Sequence, residues 1–132
     1  MIGNCRSSAL VSRNGSIDWC CLPDFDSPSI FARLIDEEKG GSFSILPLGN
    51  YQITQTYLDH TNILKTTFTA REASFEVIDF MPIYRTDESH YYNAPEIYRI
   101  IRVRSGAPVI RACYRPLLNY ARATKGFVEE NY

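Results

Sequence analysis

Carboxylates crowd the first third of the chain, where Asp18, Asp24, Asp26 and Asp36 all fall. Asp24 and Asp26 stand two residues apart in Leu22-Pro23-Asp24-Phe25-Asp26-Ser27-Pro28. An extended backbone there would point both the same way, and two converging carboxyl groups could act as proton donor and base. The competing reading is structural and carries more weight: Asp26 caps a following helix or closes an Asx turn, while Asp24 is solvated. Asp79 differs, because it alternates with Phe75 and Val77 along a strand-like run. If that face is core, Asp79 is a buried acid that must be hydrogen-bonded, and a structural network at a strand end is expected.

Other reactive groups form no recognisable machinery. His60 and His90 have no partner at HExxH or HxH spacing, Gly40-Gly41 lacks a following Lys-Ser/Thr, and no G-x-S-x-G elbow occurs. Cys5, Cys20, Cys21 and Cys113 make no CxxC pair. They read as reduced, mostly buried thiols. No metal and no cofactor is expected.

The elements that must position these groups are mainly strands. Nine Tyr and seven Phe in 132 residues suit pleated, half-buried surfaces. Asn14-Gly15 joins Ala9–Arg13 to Ser16–Cys20, predicting a two-residue type I′ hairpin with Arg13 facing Ser16, Ser12 facing Ile17 and Leu10 facing Trp19. After the Pro23–Pro28 loop, Ile30, Phe31, Leu34 and Ile35 have helical spacing, with Ser27 as N-cap and Pro28 at the first helical position. A short helix is therefore expected over Ser29–Asp36, ended by Gly40-Gly41. Period-two patterning then runs through 42–45, 51–57, 63–70, 75–80, 97–104 and 109–115, with 86–93 read as a loop and weak patterning after Tyr120. About eight strands at this spacing indicate an all-β sandwich or barrel in one domain.

Charge narrows the partners. The net charge is −1, which gives no field that would draw the chain to nucleic acid or membrane. From Ile97 to Val128, Arg99, Arg102, Arg104, Arg111, Arg115, Arg122 and Lys125 occur without an acid, whereas residues 1–60 carry seven acids and four bases. A solvated strand face, contact with an acidic partner domain and nucleic-acid binding remain open for this stretch, in that order. No long apolar run follows Met1 and no stretch approaches a membrane span. A cytoplasmic protein with no nucleic-acid and no membrane partner is expected.

Ile2-Gly3-Asn4-Cys5-Arg6-Ser7-Ser8-Ala9-Leu10-Val11-Ser12-Arg13-Asn14-Gly15-Ser16-Ile17-Asp18-Trp19 resembles the opening of family 15 glycoside hydrolases, the bacterial and archaeal glucoamylases, glucodextranases and trehalases. The likeness continues through Pro23–Leu34, Gly40–Phe43, Asn62–Phe68 and Asp79–Pro82. Near Arg115–Arg122 it persists with Leu118, Asn119 and Ala121 where the family more often has Phe, Asp and Gly. The resemblance implies an N-terminal antiparallel β-sandwich, of the super-sandwich type with one short helix, packed on a C-terminal (α/α)6 barrel. In that family the barrel supplies both catalytic glutamates, and terminal α-glucosyl bonds are hydrolysed with inversion. Residues 1–132 would then form the non-catalytic domain. Glu37, Glu38, Glu129 and Glu130 match no catalytic motif. Trp19, Pro23, Asp24, Phe25, Asp26 and Ser27 are the candidates for the barrel interface or the rim of the substrate pocket, against plain loop-to-helix packing. Trehalose, starch fragments or dextran are the substrates implied. Two alternatives stand beside this reading. One is a free-standing carbohydrate-binding module using Tyr51, Tyr57, Tyr91, Tyr92 and Tyr98. The other is a self-associating scaffold, since a sandwich parted from its barrel should expose an apolar patch that favours homodimers.

Overall fold

A computed structural model gives the fold, in which residues 1–122 are described. The weakly patterned tail, with Lys125 of the basic run and Glu129 and Glu130, lies outside the described residues.

The period-two patterning produces strands throughout: β1 (Ile2–Gly3), β2 (Ser8–Val11), β3 (Ile17–Cys21), β4 (Ser29–Phe31), β5 (Ser42–Pro47) and β6 (Gln52–Tyr57). Then follow β7 (Leu64–Thr69), β8 (Ser74–Phe80), β9 (Ile83–Arg85), β10 (Tyr91–Asn93), β11 (Tyr98–Ser105) and β12 (Ile110–Arg115). One sheet runs β1-β2-β3-β5-β12, with β4 also paired to β3. A second runs β11-β8-β7-β6, and β9 and β10 form a separate hairpin. Every pairing is antiparallel.

The core lies between the two larger sheets. Ile2, Ala9, Ile17, Cys20 and Phe31 of the first meet Leu64 of the second and Met81 just beyond it. Ile45 meets Phe68, Phe75 and Val77. Alternation is cleanest in β7, where Leu64, Thr66 and Phe68 are buried in turn. The Phe68 and Phe75 rings stack with centroids 4.5 Å apart, and each fully buried Phe contributes about 1.5–3 kcal/mol. The fold class is thus an all-β sandwich, as the alternation implied.

Three local expectations are corrected. The hairpin keeps the Leu10–Trp19 pair but sets Val11, not Ser12, opposite Ile17, with a bulge between. Gly15 N–H donates to Ser12 O at 2.9 Å and only Gly15 has positive φ (82°), so the loop is a type I turn followed by a left-handed glycine rather than type I′. Second, Ser29–Asp36 is not helical. Phe31 is drawn inward opposite Cys20, and the Ala32 and Arg33 N–H groups donate to the Gly40 and Gly41 carbonyls, leaving Leu34 and Ile35 65% and 69% exposed. The short helical element lies instead at α1 (Leu118–Ala121), where Asn119 and Tyr120 have positive φ. Third, within the expected loop 86–93, Tyr91–Asn93 pairs with Ile83–Arg85, because Asp87 accepts the Ser89 and His90 N–H groups and turns the chain back.

Candidate functional site

The Pro23–Pro28 loop is fixed by its own backbone and by one arginine. Asp24 and Ser27 close it reciprocally: Asp24 N–H donates to Ser27 Oγ at 3.1 Å, and Ser27 N–H donates to Asp24 O at 3.1 Å. Ser27 therefore closes a turn, and the N-cap role expected of it is not taken. Asp24 is not free in solvent either, since Arg6 Nε donates to its Oδ1 at 2.7 Å. The same guanidinium reaches Asn93 O at 3.5 Å, joining the loop to the β9–β10 hairpin.

Arg6 is held in place from below by Asn4, which is 1% exposed. Asn4 Oδ1 accepts from the Arg6 and Ser7 N–H groups, and its Nδ2 donates to Ala94 O at 2.6 Å and Pro82 O at 3.3 Å. Asn93 Nδ2 returns a bond to Asn4 O at 2.8 Å. Cys5, between them, takes φ 65°, which tightens the link from β1 to β2. A buried amide whose donors and acceptor are all used is a rigid joint. Here it fastens the β1–β2 connection, the exit of β8 and the end of β10 at one end of the sandwich.

Of the sequence candidates, the structure brings Asp24 and Ser27 together with Arg6. Pro23 and Asp26 are exposed on the same loop, and Phe25 is 61% exposed. Trp19 belongs to a different setting. It is half-buried opposite Leu10, and its ring lies 6.1 Å from that of Tyr120. Asp24 and Asp26 thus occupy unlike environments, one ion-paired and one open, and the loop presents an exposed aromatic tip rather than a matched acid pair. Asn4, Arg6 and Asn93 were not singled out from the sequence. Beyond the local bonds from Asn4 to Arg6 and Ser7, their partners lie 18 to 90 residues away, and no local pattern marks such pairs.

Asp79 meets the condition set for it. It is 0% exposed and held by Arg99 through Nε–Oδ1 at 2.8 Å and Nη2–Oδ2 at 3.2 Å. Arg99 also donates to Phe43 O at 2.5 Å and to Gly15 O, and it lies 4.8 Å from the Phe43 ring centroid. Burial pushes the Asp79 carboxyl up, and Arg99 pulls it back only in part. The pair ties β8 and β11 across the core to β5 and the first hairpin. Four free thiols are present, but only Cys20 and Cys21 are buried; Cys5 and Cys113 are exposed, which corrects the mostly buried reading. Among the described residues no three His, Cys, Asp or Glu side chains converge as metal ligands, and no helix is long and apolar enough to cross a membrane.

Comparison with known proteins gives this geometry a family. The family described as "Trehalase-like, N-terminal" matches residues 1–131. A trehalase of Thermoplasma acidophilum is 38% identical over 117 residues, covering 85% of this chain and 19% of the relative. A trehalase of Thermoplasma volcanium is 36% identical over 126 residues, covering 92% and 19%. Trehalase 2 of Sulfolobus acidocaldarius is 32% identical over 126 residues, covering 96% and 19%. No solved structure matches. The chain spans about a fifth of the length of these relatives, and it belongs to the trehalase-like N-terminal domain family.

Proposed function

We propose that residues 1–132 act as the non-catalytic N-terminal domain of a trehalase-like glycoside hydrolase of the cytoplasm, packing on and supporting a catalytic barrel that hydrolyses terminal α-glucosyl bonds with inversion. The observation that carries this reading is the near-complete match of an all-β domain to a family described as N-terminal, together with trehalases about five times its length. The Arg6–Asp24 loop supports the placement of the contact. It is locked by Asn4 from within the fold, yet it offers Phe25 and Asp26 to the outside. A rigid loop with an exposed aromatic tip suits a neighbouring domain or the edge of a sugar pocket.

The test has two arms. The purified chain, incubated with trehalose, maltose or dextran, should release no glucose; release would overturn the non-catalytic reading. In an enzyme carrying this domain, Phe25→Ala or Asp26→Ala should lower the melting temperature or raise KM. Wild-type melting and kinetics in both variants would remove the loop from the interface.

A carbohydrate-binding module is the second reading, favoured by one cluster. Tyr84 Oη lies 3.2 Å from Tyr98 Oη and 3.3 Å from Glu96, Tyr98 stacks on Phe80, and Tyr84, Tyr91, Tyr92 and Tyr98 are each at least 41% exposed. Saturable binding of trehalose or dextran by the isolated chain would favour this reading over the first.

A further inference from the structure

The first hairpin carries the chain's one Asn-Gly step, Asn14-Gly15; every other asparagine precedes a residue with a side chain. An Asn-Gly step can react with itself, because nothing on the glycine shields its nitrogen. The Gly15 nitrogen loses its proton to base and attacks Asn14 Cγ. The Cγ–Nδ2 bond breaks, ammonia leaves, and a five-membered imide remains. Water then opens the imide at one carbonyl or the other, giving aspartate or isoaspartate. The net change is water in and ammonia out, with no redox step. Asn14 is exposed, and the bonds its side chain makes all use Oδ1, which leaves the departing Nδ2 free among the described residues.

The folded turn holds the reacting groups apart. Gly15 N–H donates to Ser12 O, so Asn14 is the third residue of the type I turn, where ψ is about 0°. At that angle the Asn14 nitrogen eclipses the Gly15 nitrogen, and tetrahedral geometry puts Cβ about 120° away around the Cα–C bond. The imide ring needs Cβ and the Gly15 nitrogen on the same side. Closing it therefore swings the 14–15 peptide and breaks the bond to Ser12 O. Other contacts resist that swing. Asn14 Oδ1 accepts from Ser12 Oγ at 2.5 Å and from Ser16 N–H at 3.1 Å. Ser12 O also accepts from Gln55 Nε2 at 2.8 Å, which ties the turn to β6. On the far side, Gly15 O accepts from Arg99, and the Gly15 Cα is packed so that a Cβ would lie 3.4 Å from the Phe68 ring.

We propose that Asn14 is a self-modification site gated by this turn: closed while Ser12, Gln55 and Arg99 hold it, and converted to an acid when the hairpin opens. The two products differ in what they do to the fold. Aspartate keeps the main chain and an oxygen for Ser12 and Ser16, at an exposed position. Isoaspartate routes the main chain through Cγ and so adds a carbon between residues 14 and 15. That displaces the Gly15 carbonyl from Arg99, whose other donors are committed to Asp79 and to Phe43 O. A donor on a buried guanidinium then lacks its acceptor, and the core no longer closes as before. A chain that has opened at the turn and taken isoaspartate is thereby marked, because the change does not reverse on refolding. The inference goes beyond the proposed function and does not rest on it.

Ageing the protein in mildly alkaline buffer tests this. Conversion is read by mass spectrometry as a gain of about one mass unit on the tryptic peptide that begins after Arg13, with the two acids separated by chromatography. The folded chain should convert at least about tenfold more slowly than the same chain in urea, since only the opened turn reacts. Ser12→Ala removes the Oγ bond alone; it should raise the folded rate about two- to tenfold and leave the rate in urea unchanged. When urea is removed from the aged sample and protease is added, the isoaspartate product should be digested first, while the aspartate product survives with unconverted chains. Equal rates in the folded and urea-unfolded protein, an unmoved folded rate in Ser12→Ala, or equal survival of the two acids would each overturn the proposal. None of these results would alter the glucose-release or KM measurements that test the proposed function.

Discussion

Two aspartate–arginine pairs of nearly the same length serve different ends. Arg6–Asp24 spans 2.7 Å with side chains 34% and 47% exposed, and Arg99–Asp79 spans 2.8 Å with side chains 2% and 0% exposed. At the loop the charges remain hydrated, so their attraction is screened and the pair mainly orients a turn. In the core, water is excluded and every donor on Arg99 has to find a protein acceptor. The contrast teaches that distance alone says little about what an ion pair does; burial sets its weight.

The sharpest way to break the comparison is to remove each arginine. Arg99→Met strands the Asp79 carboxylate in the core and should destabilise the chain by about 3–5 kcal/mol at neutral pH. Asp79→Asn leaves the Arg99 guanidinium without its counter-ion, but that cation keeps the Phe43 and Gly15 carbonyls and the amide oxygen as acceptors and lies over the Phe43 ring, so the loss should be milder. Urea unfolding measures both, and an equal loss would contradict the view that the carboxylate is the strained member.

Acidity should narrow the gap between the two variants. The Asp79 carboxyl is raised above its ordinary value by burial. A raised carboxyl contributes stability that is fully present below the ordinary aspartate value and is lost as pH climbs through the raised one. The deficit of Arg99→Met should therefore shrink on acidification, as the stranded acid takes up a proton. Unfolding curves between neutral pH and about pH 4 follow this, and a deficit that grows with acid would reverse the sign.

Smaller effects are expected at the loop. Arg6→Gln should lower stability only slightly, with the loss fading at high salt. The thiols sharpen the same division without changing stability. Cys5, beside Arg6, and Cys113 are exposed and should alkylate readily in the folded protein. Cys20 lies in the core, where burial, with Cys21 adding to it, pushes its thiol up to about 12. It should react only on unfolding, and mass spectrometry of the alkylated peptides reads the order. Fast labelling of Cys20 in the folded state would contradict the packing.

What the sequence disclosed follows the range of the interactions. Period-two alternation is local and reported β5, β7, β8 and β11 within a residue or two, and with them the buried station of Asp79. Turn chemistry was half legible: Asn14-Gly15 marked the hairpin, but the extra residue that makes a bulge is decided by how Ile17 meets the core. The run Ile30, Phe31, Leu34, Ile35 satisfies a helical period equally well as a strand followed by turns. Tertiary pairing to Cys20 and to the Gly40–Gly41 carbonyls settled it the other way. Arg6, Asn4 and Asn93 left no trace, because the partners that join them across the fold are remote and their polar types are common.

The span of the Arg99 contacts bears on the order of assembly. Arg99 reaches Asp79 twenty residues back and Gly15 eighty-four residues back. A nascent chain that has exposed only its first ninety-eight residues holds the acid without its counter-ion, and closing the two sheets would trap that acid in oil. Until β11 leaves the ribosome, closing the sheets carries the penalty of an unpaired buried acid, which favours late locking of the sandwich.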